Sequence, residues 1–172
     1  KFDYCKVSAD DVRRYADVLH LRQRRAKRPQ PIGPVLCLGT RNGREVDIFR
    51  TQFFAAGWRQ WTMRALERDQ KSFTAGVPLV EAVGRSRLEA LNERSVVGVE
   101  LNPRAARSDV WVGSFDAMPV GWTDTFGVVF SNSFDQSQDP TRSAAEWLRV
   151  IRPGGYLVFC FANDAAPTET DP

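Results

Sequence analysis

Five short apolar runs separated by helical patterns constrain this chain more than any other feature. They are Val35-Leu36-Cys37-Leu38, Val96 to Val99, Val110 to Val112 (the weakest), Phe126 to Phe130 and Tyr156 to Phe161. A strand with one face in water alternates apolar and polar residues, whereas these runs are nearly continuous, as in a sheet covered on both faces. Such strands alternating with helices build an open parallel sheet between two helical layers. The expected fold is α/β, a Rossmann-like three-layer sandwich with a mostly parallel sheet.

The intervening segments supply the helices. Ser8 to about Arg28 reads as the first: Ser8 and Asp11 have capping-box spacing, and Val12, Tyr15, Ala16 and Leu19 share one face. Pro29, Pro31 and Pro34 end it and stiffen the connector. A second helix passes through Glu45, Val46, Phe49 and Phe53. The best marked runs from about Thr141 to Ile151, with Asp139 as N-cap, Pro140 at its first position and Ala144, Trp147, Leu148 and Ile151 as its stripe. Arg152-Pro153-Gly154-Gly155 then turns the chain into the last run. From about Trp58 to Arg94 the chain is longer than a simple crossover needs. Gly76-Val77-Pro78 reads there as a break, and Leu79, Ala82, Val83 and Ala90 as a helix. The expected organisation is an N-terminal basic helix and Pro-rich connector (residues 1–34), then a core (residues 35–172) with an insertion at about residues 58–94.

Composition excludes several classes. At 172 residues, 42% hydrophobic and 26% charged, the chain fits one folded domain. No apolar run approaches the roughly eighteen residues of a membrane helix. Lys1-Phe2-Asp3-Tyr4 begins no signal peptide, and the missing initial methionine implies residues upstream. Cys5, Cys37 and Cys160 are odd in number and widely spaced, which fits reduced thiols and a cytoplasmic location. The single histidine, His20, removes most zinc sites and any serine–histidine triad, and no metal is expected. Much of the positive charge behind the net +3 sits at Arg22, Arg24, Arg25, Lys27 and Arg28. That cluster is either a solvated helix end or a contact for a phosphate-bearing partner, RNA or lipid.

Four segments carry chemistry. Leu38-Gly39-Thr40-Arg41-Asn42-Gly43-Arg44-Glu45 is a strand, a glycine turn and a helix start, either a tight structural turn or a loop that lets a ligand approach the main chain near unpaired N–H groups. Val97-Gly98-Val99-Glu100-Leu101-Asn102-Pro103 places an acid at a strand end, where it can accept from both hydroxyls of a ribose. In Val112-Gly113-Ser114-Phe115-Asp116-Ala117-Met118-Pro119, Phe115 can pack on a base and Ser114 or Asp116 can bond its edge; core packing by Phe115 is the competing reading. Asn132, Ser133, Asp135 and Gln136 follow the fourth run, at the crevice end of an open sheet, and are the acceptor-side candidates.

Taken in order, these segments resemble the class I S-adenosylmethionine-dependent methyltransferases, particularly the type 11 methyltransferase domain. The family's V-L-D-L-G-x-G-x-G resembles Val35 to Gly43, and its G-V/I-D/E-x-S/N-P is matched by Gly98-Val99-Glu100-Leu101-Asn102-Pro103. Its G-D-A/F-x-x-L-P resembles Gly113 to Pro119, its F-D-V-V-x-S-N resembles Phe126 to Asn132, and its R-V-L-K-P-G-G-x-L-V matches Arg149 to Val158. The resemblance implies that Gly39, Thr40, Arg41 and Gly43 line the methionine part of S-adenosylmethionine. It further implies that Glu100 holds the ribose with Leu101 beside the adenine, that Ser114 and Phe115 contact the adenine, and that Asn132 joins the cofactor site. Asp135 is the candidate general base.

Three residues depart from the family: Cys37 where an acid is common, Arg41 in place of the middle glycine, and Ser114 in place of aspartate. After the fifth run the family adds two strands, while only the polar Ala162 to Pro172 follow here, so the sheet is expected to lack them. The expected activity is methyl transfer to a small molecule, lipid or glycan. The alternatives are a degenerate module acting in assembly or regulation, and an RNA methyltransferase. Ser131-Asn132-Ser133-Phe134 lacks the N/D-P-P-Y/F form of amino-methylating DNA enzymes, and Gly39-Thr40-Arg41-Asn42-Gly43 misses the G-x-G-x-x-G of nicotinamide dehydrogenases.

Overall fold

The computed structural model describes residues 7–54 and 91–160. Its elements in chain order are α1 (Ala9–Arg25), β1 (Val35–Leu38), α2 (Arg44–Phe53), β2 (Val96–Glu100), β3 (Val110–Val112), β4 (Phe126–Ser131), α3 (Pro140–Val150) and β5 (Ile151–Phe159). Single turns of 3₁₀-helix stand at Pro103–Ala105, Val120–Trp122 and Phe134–Gln136. The strands form one sheet in the order β3-β2-β1-β4-β5, and every pair is parallel.

Side-chain parity explains the continuous apolar runs. Val35 and Cys37 face one way and pack with Val12, Ala16 and Leu19 of α1 and Val46, Phe49 and Phe53 of α2. Leu36 and Leu38 face the other way, toward Met118, Trp122, and Trp147 and Val150 of α3. All four residues of β1 and all six of β4 are buried, so neither strand has a wet face. Within β4 the parity breaks: Val128 and Phe130 join the α1–α2 side, but Phe126 packs with Trp122 on the α3 side. The ladder with β5 shifts register between Phe126 and Val128, and this irregularity carries Phe126 across the sheet.

Helix α1 is capped as its spacing predicts. The Asp11 N–H donates to Ser8 Oγ at 3.2 Å and the Ser8 N–H to Asp11 Oδ2 at 3.0 Å. Its carboxyl end is shorter than predicted, stopping at Arg25. Gln23 accounts for this: its side chain accepts from the Gln30 N–H at 2.8 Å and donates to the Tyr156 hydroxyl at 3.1 Å, drawing the connector back onto β5. α1 thereby lies antiparallel to β5, with Tyr15 beside Cys160 at 2.9 Å and Gln23 beside Tyr156.

Two further expectations are corrected. The buried stripe of α3 is Ser143, Trp147 and Val150, while Leu148 is 61% exposed. The hydrogen bond that Ser143 donates to Asp116 and the one it shares with Ser137 reward burial of a polar residue that hydrophobic periodicity passes over. Arg152-Pro153-Gly154-Gly155 is not a turn before β5 but lies inside it: Phe126 pairs with Ile151 and Val128 with Tyr156, so four residues of β5 bulge opposite Gly127. The helix expected around Leu79 to Ala90, and most of the insertion, lie outside the described residues.

Candidate functional site

A cleft of about 440 Å³ opens at the carboxyl ends of the strands. Strand order reverses between β1 and β4, where an open parallel sheet leaves a crevice for ligands. Gly39, Arg41, Glu100, Leu101 and Asn102 line one part of the cleft, Ser114, Phe115 and Asp116 another, and Gln136 and Gln138 a third.

The loop after β1 folds across the end of β2. The N–H groups of Gly39 and Thr40 donate to the Val99 carbonyl at 2.9 and 3.2 Å, and the Arg41 N–H reaches Glu100 Oε2 at 2.6 Å. The other carboxylate oxygen, Oε1, accepts the Asn102 N–H at 3.0 Å, while the Glu100 carbonyl accepts the Gly113 N–H beyond β3 at 2.9 Å. Glu100 therefore joins three loops. The main chain after β1 is wound tightly, with φ of +70° at Gly39, +51° at Arg41 and +78° at Gly43. Arg41 is the unusual member, because a side chain in the left-handed region costs of order 1–3 kcal/mol. Gly39 has no room for a side chain, since a Cβ would come within 2.5 Å of Ser133 Oγ.

Behind this loop sits a charge cluster. Arg107 donates to Asp47 at 2.9 and 2.6 Å, to Asp109 at 3.0 and 3.1 Å, and to the carbonyls of Asn42 and Gly43 at 3.3 and 3.2 Å. Arg50 adds a 2.6 Å bond to Asp109. Burial acts to raise the Asp109 carboxyl, but the Arg50 and Arg107 guanidiniums outweigh it and hold it below the usual carboxylate range. The hydrogen bonds from Arg107 to Asp47, with Asp109 beside them, push the Arg107 guanidinium further up.

Across the cleft, Phe115 rests on Trp147 with ring centroids 5.4 Å apart, and Trp147 Nε1 donates to the Phe115 carbonyl at 3.2 Å. Trp147 also meets Phe134 at 5.3 Å and Phe159 at 5.7 Å, so one indole supports both the third-strand and fourth-strand loops. Among the described residues no group of His, Cys, Asp and Glu is placed to hold a metal ion, and no helix is long and apolar enough to cross a membrane.

Residues 82–159 match the family model described as "Methyltransferase domain". Over that segment the chain is similar to the methyltransferase family. Among solved structures, a SAM-dependent methyltransferase from Aquifex aeolicus shares the fold, with a TM-score of 0.50 at 12% identity over 97% of this chain and 81% of its own. A SAM-dependent methyltransferase from Thermotoga maritima aligns with a TM-score of 0.40 at 18% identity over 86% of this chain and 52% of its own. The chain thus spans about half of the Thermotoga protein's length. The complex between the Haloferax volcanii Trm112 methyltransferase activator and a methyltransferase contains a chain that aligns with a TM-score of 0.38, at 23% identity over 87% of this chain and 55% of its own. No curated protein matches the sequence significantly. The cofactor of such methyltransferases is S-adenosylmethionine.

Six of the residues expected at the cofactor line the cleft: Gly39, Arg41, Glu100, Leu101, Ser114 and Phe115. Thr40 does not, being fully buried beneath the loop, and its Oγ1 has no hydrogen-bond partner among the described residues. Gly43 is buried too, and a Cβ on it would come within 2.6 Å of Arg107 Nη1, so this glycine makes room for Arg107. The N-terminus of α2 is not open either, because Asn42 Oδ1 accepts the Arg44 N–H at 3.1 Å. Asn132 is half-buried outside the cleft and accepts the Ser133 hydroxyl at 3.1 Å. Asp135 is exposed on the Phe134–Gln136 turn, also outside the lining, and His20 is exposed on α1. Asn102 and Gln138 line the cleft without having been singled out. Asn102 sat within a quoted motif, whereas Gln138 carried no sequence signal, since its place follows from the path of the loop into α3.

Proposed function

We propose that this chain is a methyltransferase that binds S-adenosylmethionine in the cleft and transfers its methyl group to an acceptor, with small molecules, lipids and glycans favoured. The observation that carries the reading is Glu100, a carboxylate in the cleft held from both sides by main-chain N–H groups. Each of its oxygens takes one of those bonds and keeps a second acceptor position, which suits the two hydroxyls of a ribose. The fit extends to its neighbours. The cleft volume lies in the range of small-ligand sites, and Leu101, 72% exposed, stands in the same lining as Phe115, apolar surface that an adenine would cover. Gly39 and Arg41 then face the methionine part of the cofactor.

When bound, S-adenosylmethionine supplies a methyl group on a sulfonium; an acceptor lone pair forms the new bond to carbon while the carbon–sulfur pair leaves with sulfur. The chain's task is alignment, worth roughly 7–11 kcal/mol of barrier when attacker and methyl are held in line. The loops after β1, β2 and β3 hold the donor, and Gln136 and Gln138 present amides toward the acceptor side. For an acceptor that must lose a proton, we assign Asp135, next to Gln136, as the base.

The division into a basic helix with connector (residues 1–34) and a core with an insertion belongs to the same reading. So does a cytoplasmic location, which the thiols of Cys37 and Cys160 favour. One observation favours the alternative of a non-catalytic module: the left-handed Arg41 where the family has glycine.

Calorimetric titration with S-adenosylmethionine and S-adenosylhomocysteine separates the two. Binding that Glu100→Ala weakens roughly tenfold or more, the worth of charge-assisted hydrogen bonds, supports the enzyme. Absence of binding to the folded wild-type chain supports the module.

A further inference from the structure

We infer that Arg107 is a positioning residue for the cleft: it holds the carbonyls of Asn42 and Gly43 from behind and so keeps Arg41 in the left-handed conformation that delivers its N–H to Glu100. This deepens the cofactor reading above, on which its binding test rests.

Arg41 stands at the second position of a tight turn that the Gly43 N–H closes on the Thr40 carbonyl at 2.8 Å. A φ of +51° at that position suits glycine, not arginine. The same angle sets the plane of the Thr40–Arg41 peptide, whose N–H reaches Glu100 Oε2 at 2.6 Å. Relaxing Arg41 to the negative φ that arginine prefers would turn that N–H away from the carboxylate. The conformation therefore persists only while the surrounding structure enforces it.

Upstream, the enforcement comes from the Val99 carbonyl, which accepts the Gly39 and Thr40 N–H groups. Downstream, it comes from Arg107. Its Nη1 donates to the carbonyls of Asn42 and Gly43, the two residues that follow Arg41, at 3.3 and 3.2 Å. Asp47 on α2 and Asp109 before β3 orient the guanidinium through four hydrogen bonds of 2.6–3.1 Å. A planar fork gripped on two sides is left little freedom to follow a moving loop. It also lies directly against the main chain, since a Cβ on Gly43 would come within 2.6 Å of Nη1. Arg50 shares Asp47 and Asp109 but makes its third contact with the Val96 carbonyl and not with the loop. It is the natural control, with the same charge in the same cluster.

The test is a double-mutant cycle on the full chain, read by calorimetry with S-adenosylhomocysteine. Arg107→Met should weaken binding about tenfold, the worth of the charge-assisted bond lost at Glu100. In an Arg41→Gly background the same change should alter affinity by less than about twofold, because glycine holds a positive φ unaided. Arg50→Met should lower the melting temperature as Arg107→Met does and leave affinity unchanged. In the ligand-free chain the amide proton of Arg41, bonded to a carboxylate, should resonate downfield, and should move upfield in Arg107→Met but not in Arg50→Met. An Arg107→Met effect that is equal in both backgrounds, one that Arg50→Met matches, or an Arg41 amide that does not move overturns the assignment. Should Arg107→Met fail to fold, Arg107→Lys, whose single nitrogen cannot serve both carbonyls and both aspartates, carries the same cycle with the same outcomes. A wild-type chain that binds no S-adenosylhomocysteine removes the cofactor reading, and the Arg41 amide shift then decides the inference by itself.

Discussion

At the scale of single residues, the structure separates side chains that line the cleft from those that only shape the loop around it. Thr40 belongs to the second group. It is fully buried, its hydroxyl has no hydrogen-bond partner among the described residues, and it lies outside the cleft. An unsatisfied buried hydroxyl costs about 1–3 kcal/mol. Thr40→Val should therefore raise the melting temperature, by an amount equivalent to about 1 kcal/mol, and leave the affinity for S-adenosylhomocysteine unchanged. Lower affinity in a stabilised variant would return Thr40 to the binding residues. The place of Glu100 in the cleft was legible in advance because a residue at the end of a parallel strand stands at the carboxyl edge of an open sheet. Gly43 was misleading for a physical reason: a glycine required by an arginine's approach looks the same in sequence as one required by a ligand's.

At the scale of elements, the Arg107 cluster joins α2, the loop after β1 and the entry to β3. No motif pointed to it, because Asp47, Arg50, Arg107 and Asp109 meet only once β2 and β3 are paired. Asp109 gives the cluster a definite pH dependence. A carboxyl whose folded pKa is lowered takes up its proton less readily than in the unfolded chain. The stability it contributes is complete above the ordinary carboxylate range, about pH 4, and is lost as pH falls through the lower folded value. Asp109→Asn should cost about 2–3 kcal/mol near neutral pH, since it leaves Arg50 and Arg107 short of a counter-charge. Denaturant titrations at neutral and acid pH should show this gap narrowing as wild-type Asp109 becomes protonated. A gap that is constant with pH would mean that the cluster's worth is packing and not charge. The α3 stripe shows how sequence reading fails at this scale. Hydrophobic periodicity selected Ala144 and Leu148, yet the helix is rotated to bury Ser143, whose hydrogen bonds a hydrophobicity count does not register.

At the scale of the whole molecule, the cleft and the basic cluster lie toward opposite ends of the sheet. The cleft opens at the carboxyl ends of the strands, while α1 runs back toward the beginning of β5 and leaves Arg22, Arg24, Arg25, Lys27 and Arg28 exposed there. If this cluster meets phosphate, single-stranded RNA should bind with an affinity that falls steeply with salt. Replacing the five residues with glutamine should abolish that binding and leave S-adenosylhomocysteine binding intact. Salt-independent binding, or none, would make the cluster a solvated helix end. All five strands were legible because a sheet covered on both faces leaves continuous apolar runs. The β5 bulge was not, because Pro153-Gly154-Gly155 has the composition of a turn and only the pairing with β4 shows that the strand continues through it. The double hold on Glu100 has a kinetic consequence. Folding alone sets the loop after β1 in place, so a ligand meets a surface that is already assembled and loses little conformational freedom on arrival. Association rates should then be similar for good and poor nucleoside ligands, and the lifetime of the complex should distinguish them.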